Sequence, residues 1–167
     1  MINLTNGKSL AKSGIIGAIY VALTLALYPI SFGGFQIRVA ESLTLLPLLF
    51  TESIIGLTVG CFISNFFGNG VLDVVFGTLA TLISAILTHV VAKKFKKDFV
   101  KILVGGVFPV VINALIIPLT ILSITAQPQT YLILALQIFV GQFLSVYVVG
   151  TPLYYICKKI KKGLNRP

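Results

Sequence analysis

The chain has few acidic residues and little charge of any kind. Its 167 residues include only four aspartates and glutamates, and 10% of them are charged against 57% that are hydrophobic. Because a soluble domain is typically about 25% charged, this composition excludes an ordinary soluble protein. The length suits one compact bundle rather than two domains. We therefore expect a single transmembrane domain over residues 1–167, with a basic cytoplasmic tail at 158–167.

The chain also lacks the motifs of common catalytic and metal sites. It has one histidine and two cysteines, and these are too far apart in sequence to indicate a metal site or a disulfide. It contains no G-x-x-x-x-G-K-[ST] phosphate loop and no H-E-x-x-H zinc motif. No serine or cysteine has a histidine base nearby in sequence. The sequence predicts binding or transport, without a cofactor or metal, rather than catalysis.

Long apolar runs make up most of the chain. A helix needs about 20 apolar residues to cross a bilayer. The first run follows Lys8 and Lys12 and lacks a cleavage site with small residues, so we interpret it as a membrane helix rather than a signal peptide. The runs lie near 10–31, 40–50, 52–67, 71–92, 102–124 and 131–157.

The basic residues indicate how the helices are oriented. Apart from Arg38, they fall into three groups, and basic residues tend to stay cytoplasmic. Six helices with both termini inside put all three groups on the cytoplasmic side, whereas one long helix kinked at Pro47 would put the middle group outside. We therefore predict an all-α bundle of six helices, with short or tilted second and third helices. Anionic lipid, not nucleic acid, is the expected partner of the basic groups. The groups are Lys8 and Lys12; Lys93, Lys94, Lys96, Lys97 and Lys101; and Lys158, Lys159, Lys161, Lys162 and Arg166.

Polar residues within the apolar runs indicate a binding site. A charged side chain at the bilayer centre costs roughly 3 kcal/mol or more, so it usually faces a cavity or a partner. In the six-helix arrangement these residues converge on the outer half of the bundle. Arg38 precedes Glu41 by three residues, so an ion pair between them is an alternative to a direct contact of each with a ligand. The candidates are Arg38, Glu41, Asn65, Asn69, Asp73, Asn113, Gln127 and Gln137.

Small residues recur on the first predicted helix. Gly14, Ala18, Ala22 and Ala26 are spaced by four and share one face. Such a stripe lets another helix approach closely, either from the same bundle or from a partner protein. The G-x-x-x-G of Gly56 and Gly60 is expected to pack within the bundle.

Three segments together resemble the QueT family. They read QIRVAESLTLLP at 36–47, GLTVGCFISN at 56–65 and DVVFGTLATL at 73–82. QueT proteins are presumed queuosine-precursor transporters and are substrate-binding S-components of energy-coupling factor (ECF) transporters. The resemblance implies a six-helix bundle that captures a solute. It also implies a membrane-embedded T-component docked on Ala18, Ala22 and Ala26, two cytoplasmic ATPase subunits, and toppling of the S-component in the bacterial plasma membrane.

The implied ligand suits the candidate residues. A 7-deazaguanine presents an N–H and an NH₂ side by side, and one carboxylate can accept both. Queuine and its aminomethyl precursor also carry an amine that invites a second carboxylate. Glu41 and Asp73 supply the two acids, and Phe76 is among the phenylalanines available to stack on the base. The alternatives are an S-component for another vitamin, an intramembrane enzyme using Asp73 or Glu41, and a structural scaffold.

Overall fold

The computed structural model describes residues 6–33, 36–68, 70–124 and 130–164. Every regular element in these ranges is a helix, which confirms the predicted all-α class. Two of the membrane-length helices contain a π-helical stretch, which adds one residue to the turn. In chain order the elements are α1 (Gly7–Ala26), α2 (Tyr28–Ser31), a 3₁₀ helix (Val39–Leu48), α3 (Ser53–Phe66), a first π segment (Asp73–Gly77), α4 (Thr78–Lys94), α5 (Asp98–Ile124), α6 (Tyr131–Phe143), a second π segment (Leu144–Val149) and α7 (Gly150–Leu164).

Four continuous helical stretches are long and apolar enough to cross a membrane. They are Gly7–Ala26, Asp73–Lys94, Asp98–Ser123 and Tyr131–Gly163. The other two apolar runs form shorter helices, the 3₁₀ helix and α3. With a rise of about 2.0 Å per residue the 3₁₀ helix is roughly 20 Å long, and α3 at about 1.5 Å per residue is similar. Both are shorter than the hydrocarbon core of about 30 Å.

The 3₁₀ helix and α3 are two antiparallel segments rather than one kinked helix. Arg38, just before the 3₁₀ helix, donates a hydrogen bond to Asn65, near the end of α3. The start of the 3₁₀ helix therefore lies beside the end of α3, and the chain reverses direction between Leu48 and Ser53. Pro47 lies inside the 3₁₀ helix, and its carbonyl accepts a hydrogen bond from Nδ1 of His89 at 3.0 Å. The alternative of a single helix kinked at Pro47 is wrong.

The 3₁₀ helix is the centre of the bundle. All its residues from Ala40 to Leu48 are buried. It contacts α1, α3, α4, α5, α7 and the second π segment. A polar side chain on this helix therefore depends on partners inside the bundle or on a bound ligand, because water does not reach it.

Helices α1 and α3 pack through glycines. A β-carbon added to Gly17 would lie 2.9 Å from the carbonyl oxygen of Gly56, and one added to Gly60 would lie 2.9 Å from that of Gly17. The two backbones thus approach too closely for side chains at these positions. The G-x-x-x-G of α3 serves internal packing, as predicted. Gly14, Ala18, Ala22 and Ala26 instead lie on the exposed face of α1.

The described members of the three basic groups meet at one end of the bundle. Lys12 and Lys161 lie 5.9 and 5.2 Å from the centre of the Phe50 ring. Lys158 pairs with Asp98, which lies within the middle basic group. The side of the membrane that this end faces stays a prediction.

Glu52 also lies at this basic end, at the position just before α3. Its side chain makes no capping hydrogen bond, and Oε1 lies 3.5 Å from Nζ of Lys12. The Glu52 side chain therefore does not cap α3. Its structural role is an ion pair with α1.

Candidate substrate site

Arg38 is the centre of a buried polar network at the end of the bundle opposite the lysines. It is 3% exposed. Its Nη1 donates to Asn65 Oδ1 at 2.8 Å, and its Nη2 lies 3.1 Å from Asp73 Oδ2. Weaker bonds run from Nη2 to Gln36 Oε1 at 3.4 Å and from Nε to the Ser31 carbonyl at 3.3 Å. Because guanidinium has five N–H donors, these contacts leave one donor without a partner among the described residues.

Phe32 covers this guanidinium group. The ring centre lies 4.7 Å from Arg38 Cζ, a cation–π contact. Phe32 follows α2, a single helical turn with proline at its start. The contact ties the loop that follows α1 to the polar network.

Asn65 joins the end of α3 to the start of the first π segment. It is fully buried. Its Oδ1 accepts from Arg38, while its Nδ2 donates to the Asp73 carbonyl at 3.0 Å and lies 3.3 Å from the Cys61 sulfur. Because both ends of the amide are engaged, its orientation is determined by its neighbours.

Asp73 is positioned by a close approach at Gly77. A β-carbon at Gly77 would lie 2.6 Å from Asn65 Nδ2 and 3.1 Å from Asp73 Oδ1. Only glycine leaves room for both polar groups here. Asp73 is fully buried, and Oδ2 pairs with Arg38, whereas Oδ1 has no hydrogen-bond partner among the described residues.

Glu41 has a different partner from the one that its spacing suggests. It is 1% exposed, and Oε1 accepts a hydrogen bond from the hydroxyl of Tyr20 on α1. Arg38 and Glu41, both described, make no ion pair with each other, since Arg38 pairs with Asp73. The reason is local. Arg38 has extended backbone angles and lies before the 3₁₀ helix, so the helical i, i+3 rule does not apply.

Sequence reasoning missed Tyr20 and Gln36 as members of this site. Tyr20 is fully buried on the face of α1 that also carries Ser13, Gly17 and Thr24. Small and polar residues at this spacing on an apolar helix were the available signal. Gln36 is 3% exposed and has φ of 44°, a left-handed conformation uncommon for this residue type. No local pattern predicts that conformation.

The other predicted site residues are placed unequally. Asn113 is buried on α5, one turn before Ile117, whose side chain packs near Gly77. Its Nδ2 has no hydrogen-bond partner among the described residues.

Phe76 is 47% exposed and lines an apolar groove beside α5 rather than the Arg38 network. Gln137 is half-buried on α6, and no described contact joins it to Arg38, Glu41 or Asp73. Asn69 and Gln127 lie outside the described residues.

The site therefore has two anchored carboxylates, each with one unpaired oxygen. Glu41 Oε2 and Asp73 Oδ1 have no hydrogen-bond partner in the described part of the chain. An unpaired buried acceptor costs about 1–3 kcal/mol, and more when it is charged. Groups of this kind gain most from a ligand that brings N–H donors.

The family model of the QueT transporter matches residues 10–159. The chain belongs to the QueT family. The chain is also similar to the queuosine precursor transporter QueT of Lactococcus lactis subsp. cremoris (strain MG1363), with 39% identity over 87 residues. That alignment covers 51% of this chain and 52% of the relative, about half the length of each. No solved structure matches the chain.

Membership of the QueT family agrees with the physical character of the chain. The family match confirms the resemblance inferred from residues 36–82. Together with the four apolar membrane-length helices, it identifies a multi-pass protein of the bacterial cell membrane.

Proposed function

We propose that this QueT-family protein is the S-component of an ATP-driven ECF importer and captures a queuosine precursor. The ligand is queuine or a related 7-deazaguanine base. The protein has six membrane segments with both termini cytoplasmic. Its partners are a coupling T-component and two cytoplasmic ATPase subunits. It delivers its ligand by toppling in the membrane. The name of the similar Lactococcus protein supports the ligand class.

The observation that carries the proposal is the pair of buried carboxylates with free oxygens. Glu41 and Asp73 are each held on one oxygen, by Tyr20 and Arg38 respectively, and each keeps the other oxygen unpaired within the described residues. A structural scaffold has no use for unpaired buried acids, because burying them costs stability without return. A cationic or N–H-rich ligand supplies the missing donors.

The chemistry of a 7-deazaguanine matches this arrangement. Its adjacent N–H and NH₂ groups pair with one carboxylate, and each carboxylate oxygen can accept more than one hydrogen bond. Glu41 suits this role best, because the described residues offer it no cation within ion-pair distance. Asp73, already paired with Arg38, suits the amine of the precursor. Asn113 supplies a donor for the carbonyl of the base.

The substrate identity is tested on the purified, detergent-solubilised chain. Mass spectrometry should find a 7-deazaguanine base that co-purifies with it. A thermal-shift panel of 7-deazaguanines and vitamins should show stabilisation by the former alone. Stabilisation by another vitamin, with no response to 7-deazaguanines, would assign the protein to a different substrate.

The site is tested by removing each carboxylate's charge. Glu41→Gln and Asp73→Asn should each weaken precursor binding by at least about tenfold, since a buried charged pair typically contributes about 2–5 kcal/mol. The matched control is Glu52→Gln, which changes the same charge at the basic end and should bind nearly normally. For an analogue without the exocyclic NH₂, little further affinity should be lost in the variant that lacks the carboxylate partner of that NH₂ group. Unchanged affinity in both site variants would move the site elsewhere.

The orientation is tested by cysteine labelling. In a background without Cys61 and Cys157, cysteines introduced at Lys97 and at Thr130 should react from opposite sides of the membrane. An impermeant reagent added outside cells should reach position 130 but not 97. Labelling of 97 and not 130 would refute the six-helix orientation.

The proposed T-component docks on the exposed face of α1. Ala18 and Ala22 line an apolar groove of about 610 Å³ between α1 and α3, and Ala26 is exposed one turn further on. This groove has no covering helix in the described part of the chain. Small side chains there permit close approach of a second backbone.

The docking face is tested with a bulky substitution. Ala22→Trp should abolish assembly with the T-component and uptake while the isolated protein still binds its ligand. Leu79→Trp, on an exposed apolar face of α4, is the matched control and should assemble normally. Equal loss of assembly in both variants would show that the groove is not the docking surface for the T-component.

A further inference from the structure

The basic end of the bundle contains a pocket that the transport proposal does not use. It has a volume of about 350 Å³ and lies between the end of the 3₁₀ helix, the start of α5 and the last turns of α7. Five lysines and one aspartate line it, so its side chains sum to a charge of +4. The lining residues that carry charge are Lys96, Asp98, Lys101, Lys158, Lys161 and Lys162.

One side of this pocket is held rigidly. Tyr154 is 1% exposed, and its hydroxyl donates to Asp98 Oδ1 at 3.1 Å. The other oxygen of Asp98 pairs with Lys158. Lys161 donates to the carbonyl oxygen of Leu49, just after the 3₁₀ helix. The only acid in the lining and two of its lysines are therefore already engaged.

The remaining three lysines have no such partners. The side chains of Lys96, Lys101 and Lys162 make no ion pair or hydrogen bond within the described residues, and the charge of Lys101 reaches Asp98 only at longer range. Three ammonium groups around one concave site repel one another unless an anion lies between them. The structure brings them together from the loop before α5, from α5 and from α7, so they are not a run of neighbours on one helix.

We propose that this pocket binds a phosphate group. A phosphate offers several acceptor oxygens and a negative charge, which is the chemistry that converging lysines recognise. The pocket lies where the spans Asp73–Lys94 and Asp98–Ser123 end and begin, at the level of lipid headgroups. The apolar Leu48 and Leu49 form part of its lining. The phosphate belongs to an anionic glycerophospholipid or to a soluble phosphate compound.

The test distinguishes a lipid phosphate from a soluble phosphate. It also distinguishes binding in the pocket from binding to the general basic surface. The full chain is placed in zwitterionic nanodiscs with a small fraction of fluorescent phosphatidylglycerol, with and without millimolar inorganic phosphate. The pocket variant is K96Q/K101Q/K162Q. The matched control is K93Q/K94Q/K97Q, which removes the same charge from neighbouring lysines outside the pocket.

The parent and the control should bind phosphatidylglycerol at least about tenfold more tightly than the pocket variant, because only the pocket lysines converge on one phosphate group. If inorganic phosphate instead protects the parent against heating, and the pocket variant loses only that protection, the ligand is a soluble phosphate. Equal losses in the pocket and control variants, or no effect of either probe on the parent, would overturn the proposal. Lys101→Gln alone, which removes one charge, should show a smaller loss in the same direction if the triple variant does not fold.

Discussion

The two ends of the bundle hold similar ion pairs in opposite environments. At one end Arg38 and Asp73 lie 3.1 Å apart with side chains 4% and 0% exposed. At the other end Lys12 and Glu52 lie 3.5 Å apart with side chains 51% and 22% exposed. The separations are nearly equal, so distance does not distinguish them. What differs is the cost of leaving one partner alone, because water solvates the exposed ions and cannot reach the buried ones.

A buried ion pair contributes little net stability over an apolar pair, yet each partner becomes indispensable to the other. The protein therefore maintains an arrangement of charges at the Arg38 end that stability alone does not favour. The exposed Lys12–Glu52 pair needs no such precision, because water can solvate either partner when the other is removed.

Removing one buried charge should have the largest effect. Arg38→Gln leaves Asp73 as an unpaired buried ion, and we expect a loss of about 3–5 kcal/mol in the free energy of unfolding. Lys12→Gln, the matched change at the exposed pair, should cost less than about 1 kcal/mol. Chemical unfolding in mild detergent measures both. The double variant Arg38→Gln/Asp73→Asn should recover part of the loss. Comparable losses in Arg38→Gln and Lys12→Gln would show that the buried and exposed ion pairs do not differ in this way.

Removing one hydrogen bond to a buried carboxylate should have the next largest effect. Tyr20→Phe leaves Glu41 Oε1 without its donor, at a cost of about 1.5–3 kcal/mol. The control is Tyr155→Phe, which removes the hydroxyl of an exposed tyrosine and should change stability by less than about 0.5 kcal/mol. The same unfolding assay applies, and a neutral Tyr20→Phe would show that Glu41 is anchored in another way.

Adding one methyl group should disturb the buried network without changing its charges. Gly77→Ala brings a β-carbon against Asn65 and Asp73, and overpacking of this kind costs about 1–3 kcal/mol. Gly14→Ala meets nothing within 4 Å and should stabilise α1 by up to about 1 kcal/mol. Opposite signs in thermal unfolding would confirm the prediction, whereas a harmless Gly77→Ala would show that the network can shift aside.

The smallest effect is expected from the second pair at the basic end. Lys158 and Asp98 have side chains 30% and 25% exposed, so Lys158→Gln should cost about 1 kcal/mol or less. Salt should shrink that difference, because it screens exposed charges more than buried ones. Unfolding of the parent and variant at low and high ionic strength measures this. A loss that is large and independent of salt would mean that this pair behaves like the buried one.

The sequence predicted more about helices than about contacts. The predicted run 71–92 agrees closely with Asp73–Lys94, and the run 40–50 with Val39–Leu48. Apolar length is a property of the local sequence, so these segments follow from composition alone. The sequence did not reveal that the second segment is a 3₁₀ helix, because no local pattern of its residues predicts the tighter winding.

The partners of the charged residues depended on the fold. Arg38 and Glu41 are neighbours in sequence, yet their partners come from the first π segment and from α1. Local spacing predicts a contact only when the backbone is helical through both residues, and Arg38 has extended angles. No rule of spacing joins Tyr20 to Glu41, since that contact arises only where α1 packs against the 3₁₀ helix.

By itself the sequence determined the class of protein, the apolar segments and the three basic groups. It also identified the polar and charged residues inside the apolar runs. Each of these follows from the free energy of transferring individual side chains between water and lipid. Only the tertiary structure decided that Asp73, and not Glu41, pairs with Arg38, that Tyr20 holds Glu41, and that five lysines share one pocket. These contacts join residues far apart in the chain, and their geometry depends on how whole helices pack. That packing is a collective property that no short stretch of sequence contains.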